Sequence, residues 1–266
     1  MTRNPEHTDS DPEGGDLYAV YDRLLAAYGP QGWWPGDGPW EVLVGAVLTQ
    51  HTAWTNVERA LVRLKADGPL TPAGLRRLAP DDFAEHLRPT GTFRVKAARL
   101  QALLAWCEGW GDDLDRMARA DPAELRRALL AVHGIGPETA DAILLYALDL
   151  PTFVVDASAR RVFGRLGHGR AKLPYGAFQA WLHQQLAPNP PLYGEYHALL
   201  VRHGKVQCRP APRCEGCCLQ AICQTGKQML SGEPRRSFDN IPAIFGTKVR
   251  GIPSQDAVSR DRMSSK

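Results

Sequence analysis

Residues Leu125 to Gly167 read LRRALLAVHGIGPETADAILLYALDLPTFVVDASARRVFGRLG. Ala140, Ile143, Leu144, Ala147 and Leu148 recur at the spacing of one helix face. A second helix precedes His133-Gly134-Ile135-Gly136, whose glycines permit positive φ and close approach of another backbone. Pro137 suits the first position of the following helix, where a missing amide hydrogen costs nothing. A turn of this kind is often a plain helix connection. With its amides beside a helix N-terminus it can also hold a phosphate, through Gly134, Ile135 and Gly136. Downstream, Asp156 follows the apolar run Phe153-Val154-Val155 and opens a further helix, where an aspartate ordinarily acts as an N-cap.

Working outward, the same periodicity continues in Trp54, Val57, Leu61 and Leu64, and helix starts are marked at Asp121-Pro122-Ala123-Glu124 and Thr71-Pro72. The only β-branched run is Thr152 to Val155, too short for a sheet. The sequence therefore predicts an all-α protein. With 266 residues, 44% of them hydrophobic, it can bury one sizeable core or two that share an interface. No window approaches an apolar membrane span and the N-terminus lacks the apolar core of a signal peptide, so the chain is expected in the cytoplasm with no membrane partner. Residues 1 to 15 and the end, SQDAVSRDRMSSK, are polar enough to be expected disordered.

The net charge of +3 argues little by itself. From Ala157 to Ile222, however, nine Lys and Arg face two Glu, an excess of +7 that suits a polyanion or a face balanced by acidic neighbours. Cys208, Cys214, Cys217 and Cys223 are spaced C-x5-C-x2-C-x5-C. In a reducing compartment such a set implies zinc or an iron-sulfur cluster, and the spacing leaves both open. Cys218 competes with Cys217 as third ligand, and register favours Cys217.

From about Trp33 to Cys223 the chain resembles the endonuclease III-like helix-hairpin-helix DNA glycosylases, through the hairpin, the Gly/Pro-rich turn and Asp156. The resemblance implies that the hairpin grips DNA beside a lesion, that Asp156 assists glycosidic cleavage, and that the cysteines hold a [4Fe-4S] cluster. One residue is missing from the family's first inter-cysteine spacing. Arg209 and Arg213, in the stiff loop Arg209-Pro210-Ala211-Pro212-Arg213, are then expected at phosphates. Lys96, in GTFRVKAARL, looks like a further backbone contact.

The sequence departs from the family at one telling place. Lyase-competent members carry a lysine 18 residues before the aspartate, and this chain has Glu138 there. A carboxylate cannot form an imine, so the expected route is monofunctional hydrolysis with Asp156 stabilising an oxocarbenium-like sugar and directing water, and Glu138 tuning the site or standing by. One carboxylate without an acid best serves a base that leaves unprotonated, such as an N-alkylated purine. Trp33-Trp34-Pro35 and Gln50-His51-Thr52-Ala53-Trp54 look like the pocket and wedge segments of the 3-methyladenine DNA glycosylase III branch. Trp33, Trp34 and Trp54 would stack a cationic base for about 1 kcal/mol or more each, with Gln50 and His51 at the wedge. Core packing is the competing role for Trp54, which lies in phase with Val57, Leu61 and Leu64.

The expected architecture is two-lobed, with a cluster loop near the C-terminus. Residues 37–155 would form a helical barrel domain with the hairpin, 16–36 plus 157–224 an iron-sulfur domain, and 225–266 an extension of unassigned role containing the apolar patch Ile241 to Phe245. A monomer acting on damaged double-stranded DNA is expected. Two rivals are excision of oxidised pyrimidines and non-catalytic binding of damaged DNA.

Overall fold

The computed structural model describes residues 16–231. Residues 1–15 and the patch Ile241 to Phe245 lie outside the described residues.

Among the described residues the regular structure is helical. α1 (Leu17–Tyr28) is followed by α2 (Pro39–Leu48), α3 (Trp54–Ala66), α4 (Pro72–Arg77), α5 (Pro80–His86), α6 (Phe93–Gly109) and α7 (Leu114–Ala118). Then come α8 (Pro122–Leu130), α9 (Pro137–Tyr146), α10 (Ala157–Leu166), α11 (Tyr175–Gln185), α12 (Pro190–Val206) and α13 (Gln224–Ser231). The β-branched run Thr152 to Val155 forms no strand: it is an extended, buried connection from α9 to α10, with Phe153 donating its amide to His183 Nε2 and Val155 to the Tyr175 hydroxyl. Side chains there do what a neighbouring strand would otherwise do, satisfying buried backbone donors.

Helix boundaries follow the cap residues. Asp121 accepts from the Glu124 amide at 2.8 Å, Thr71 from Gly74 at 3.1 Å, Asn189 from Leu192 at 2.9 Å and Asp156 from Ala159 at 2.7 Å, each satisfying an orphan donor of the first turn. Proline opens α2, α4, α5, α8, α9 and α12, positions where its missing amide is harmless.

One contiguous apolar core joins the elements. Leu43, Val47, Leu61, Leu100, Ile143, Phe153, Phe163, Phe178, Tyr196 and Leu199 are all essentially inaccessible, and each fully buried side chain of this size contributes about 1.5–3 kcal/mol. α12 packs against α10, α1 and α9, α2 packs on α9 and α6, and α8 packs on α9 across the hairpin. α13, in the stretch without an assigned role, packs on α10. A buried pair braces α8 against α9. Arg126 donates to both carboxylate oxygens of the fully buried Asp141, at 2.6 and 3.0 Å, and Gln179 adds a third bond at 2.8 Å. No helix among the described residues is long and apolar enough to cross a membrane.

Candidate functional site

The hairpin between α8 and α9 is built around Gly134, whose φ is +80°. A Cβ there would stand 2.2 Å from Arg99 Cγ, so the position needs glycine for its conformation and for the arginine lying across it. Gln50 clasps the turn: its amide donates to Gly134 O and Thr139 Oγ1, each at 3.0 Å, while Arg99 donates to its Oε1 at 2.5 Å. Ile135 is buried and its amide is spent on Val132 O, so it anchors the turn instead of offering a donor, contrary to the sequence expectation. Among the described residues the amides of Gly134 and Gly136 donate to no protein acceptor, and Gly136 leads directly into α9. Two unpaired amides at a helix N-terminus form an anion seat.

One helix length away, Asp156 is half-buried as the N-cap of α10. Four groups feel its charge: Glu138, Tyr146, His197 and Lys205. Glu138, on the first turn of α9, is exposed as a residue, yet protein crowds its carboxyl. That surrounding mass and then the Asp156 charge push its carboxyl up to about 7. Burial holds His197 below the usual histidine range, and the protein around the amine of the exposed Lys205 holds it below the usual lysine range, in both cases against the opposing pull of Asp156.

A group of aromatic side chains lies beside these charges. Trp33, Trp34 and Trp54 lie 5.4 to 5.9 Å apart centroid to centroid, and Trp34 continues onto Tyr146 at 5.4 Å. The Tyr146 hydroxyl meets His197 Nδ1 at 2.6 Å and donates to Gly194 O at 3.1 Å. Lys205 Nζ stands over the Trp33 ring, 5.8 Å from its centroid. All three indole N–H groups and His197 Nε2 are buried without a hydrogen-bond partner. Unpaired buried donors are costly, which is tolerable where a ligand satisfies some of them. Trp54 answers both sequence roles: it is 7% exposed at the start of α3, packed in the core, and it forms one wall of the aromatic group.

Cys208, Cys214, Cys217 and Cys223 line one cavity with Val162, Arg165, His203 and Leu219, and Cys218 is not among its walls. No disulfide forms. Among the described residues no three His, Cys, Asp or Glu side chains converge closely enough to hold a metal ion, and the four thiols face one common space. Arg165 reaches Cys208 Sγ at 3.4 Å and the carbonyls of Arg209 and Pro210 at 2.6 and 2.8 Å, placing positive charge beside the thiols.

The family described as HhH-GPD superfamily base excision DNA repair protein matches residues 44–184. The chain belongs to this superfamily. A putative DNA repair glycosylase, MJ1434 of Methanocaldococcus jannaschii, is 41% identical over 210 residues, 78% of this chain and 95% of the relative. Among solved structures, H. pylori 3-methyladenine DNA glycosylase bound to 1,N6-ethenoadenine superposes with a TM-score of 0.61 at 26% identity, over 72% of this chain and 98% of that one. A trapped endonuclease III-DNA covalent intermediate has a TM-score of 0.68 at 22% identity, over 80% and 97%, which bears on the fold alone.

As a member of the HhH-GPD superfamily the chain brings most of the residues singled out in its sequence to two places. Gly134, Gly136 and Gln50 meet at the hairpin, with the exposed His51 beside Gln50 at φ 54°. Asp156, Glu138, Trp33, Trp34 and Trp54 belong to the carboxyl pair and the aromatic group beside it. Arg209 and Arg213 are exposed on the loop between the first two cysteines. Lys96 is the clear correction. It is 1% exposed and donates to Leu48 O at 2.9 Å and Thr90 O at 2.7 Å, so its ammonium caps α2 from inside the core and cannot reach a phosphate. Sequence reasoning gave no site role to Arg99, Tyr146, His197 or Lys205, although Arg99 lies in GTFRVKAARL, Tyr146 in the stretch from Leu125 to Gly167 and Lys205 among the counted basic residues.

Proposed function

We propose that this DNA glycosylase is monofunctional in base release, hydrolysing the N-glycosidic bond of alkylated purines in duplex DNA to leave an abasic site. The observation that carries this reading is the carboxyl pair Asp156 and Glu138, which feel each other's charge beside a group of three tryptophans. Asp156 stabilises positive charge developing on the sugar and directs water to the anomeric carbon. Glu138, raised to about 7, is protonated in about half of the molecules at neutral pH and in that form donates its proton to the departing base. The sequence alone offered no acid. Assigning one to Glu138 extends the leaving groups from cationic to neutral alkylated bases. The three tryptophans supply stacking surface for the extruded base, the Gly134 and Gly136 amides a seat for a phosphate, and Gln50 with His51 the wedge.

Cys208, Cys214, Cys217 and Cys223 would hold a [4Fe-4S] cluster, which ties α10 and α12 to the loop between α12 and α13 and leaves bond cleavage to the carboxylates. A brown protein with about four irons per chain supports that assignment. Stoichiometric zinc counts against it.

The test of the activity is release of free bases from methylated duplex DNA and from thymine-glycol DNA by the native protein and by Asp156→Asn. Methylpurine release lost in the variant is expected. Release of the oxidised pyrimidine alone would transfer the assignment to that substrate class, and tight binding without release would make the chain a damage binder.

A further inference from the structure

Lysine is absent from the position that carries it in lyases, yet the group around Asp156 contains one. Lys205 comes from the last turn of α12, and two features fix where it stands. Its neighbour Gly204 lets α12 press against the start of α10: a Cβ at Gly204 would lie 2.8 Å from Ser158 Oγ and 2.8 Å from Arg161 Nη2. Arg161 then seals the contact, donating to Gly204 O at 3.2 Å and Cys208 O at 2.7 Å. Ser158 is two residues past Asp156, so the backbone of Lys205 is held beside the carboxylate. At the other end, Lys205 Nζ lies over Trp33, in the aromatic group.

Among the described residues Lys205 forms no ion pair, and the charges facing it are Asp156 and Arg202. Two other lysines are placed differently. Lys96 is enclosed and bonded to two carbonyls, and Lys65 is paired with Asp37 at 2.7 Å and with Glu41.

We propose that the Lys205 amine captures the abasic sugar after base release and gives this chain a strand-nicking activity from a different helix than its lyase relatives use. The inference rests on the abasic site being the product of the proposed hydrolysis. The open-chain sugar presents an aldehyde at C1′. The lone pair on Lys205 Nζ adds to that carbon, and the carbinolamine loses water to give a protonated imine. Asp156 takes a proton from C2′, the electron pair moves to form the C2′–C3′ double bond, and the C3′–O bond breaks with the phosphate leaving as its anion. Water hydrolyses the imine, returning the amine and releasing an unsaturated aldehyde end. No oxidant or metal is consumed. Lys205 is exposed as a residue, and the protein packed around its amine lowers it below the usual lysine range, which increases the fraction carrying a free lone pair.

The test uses duplex DNA with a preformed abasic site, which removes any dependence on lesion choice, and protein concentrations at which a mobility shift shows the DNA fully bound. Sodium borohydride reduces the imine to a stable adduct, and the cross-linked peptide is sequenced by mass spectrometry. An adduct on Lys205 is expected, with its loss in Lys205→Ala and equally in Lys205→Arg, which keeps the charge and removes the nucleophile. A bound complex with no adduct overturns the proposal, as does an adduct mapping to another lysine or to the amino terminus. Either result leaves the base-release assay free to succeed or fail independently.

Discussion

Replacing Lys96 with methionine separates a buried charge from a DNA contact. The side chain is 1% exposed, and burial, with the Arg99 charge second, lowers its ammonium from 10.5 to about 8. Below about pH 8 the folded and unfolded chains both carry this proton and the cost of enclosing the charge is fully present. Between about 8 and 10.5 the unfolded chain binds the proton and the folded chain does not, so this residue makes stability rise with pH. At 1.36 kcal/mol per pH unit, that interval corresponds to about 3 kcal/mol. Urea unfolding of the native protein and Lys96→Met from pH 7 to 10.5 gives the difference directly, because other titrating groups are common to both chains. The native protein is expected to gain about 3 kcal/mol on the variant across that range. A difference that stays flat within 0.5 kcal/mol would refute the burial argument. The salt dependence of DNA affinity supplies a second reading: a lysine on a phosphate contributes about 0.9 to the log-log slope, and Lys96→Met is expected to leave the slope unchanged.

Three other changes probe the rest of the site. Asp156→Asn keeps a good N-cap on α10, so thermal stability should move by less than about 0.5 kcal/mol while base release falls by roughly 10² to 10⁴; equal losses in both would reduce Asp156 to a cap. Glu138 must hold its proton to act as an acid, so base release should decline as pH rises through about 7, and Glu138→Gln should erase that limb of the profile measured from pH 5.5 to 8.5. Asp141→Ala removes the buried partner of Arg126 and the acceptor of Gln179, and should cost about 3 kcal/mol in denaturant unfolding, whereas a loss under 1 kcal/mol would show the pair to be dispensable.

The parts legible in the sequence were those whose physics is local. Asp121, Thr71 and Asp156 announce helix starts because capping is settled within four residues. Pro137 after a Gly-Ile-Gly turn marks the hairpin, and the cysteine spacing marks one cavity. Long-range burial was not legible. Lys96 looks like a surface lysine because the carbonyl of Leu48, 48 residues earlier, leaves no trace in its surroundings along the chain. Glu138 looks like a bystander until Asp156 and the surrounding protein raise its carboxyl. Lys205 is placed by the packing of α12 on α10 that Gly204 permits, and Tyr146 meets His197 where Gly194 lets its ring approach α12; a lone glycine in a helix advertises neither. The extended Thr152 to Val155 segment carries a strand's composition, and its hydrogen bonds go to side chains that only the fold supplies.

The clasp around Gln50 has a mechanical consequence. Hydrogen bonds to Gly134 O, Thr139 and Arg99 join the turn after α2, the hairpin and α6 into a single rigid piece, and Gln50 and His51 are part of it. In the proposed DNA complex the distance from the Gly134–Gly136 phosphate seat to the Gln50–His51 wedge is therefore set before any DNA arrives, like the opening of a calliper. A duplex that engages both ends must be the partner that bends. Scanning along a strand then amounts to asking, nucleotide by nucleotide, how cheaply the DNA deforms to that gauge, and a weakened base stack answers first.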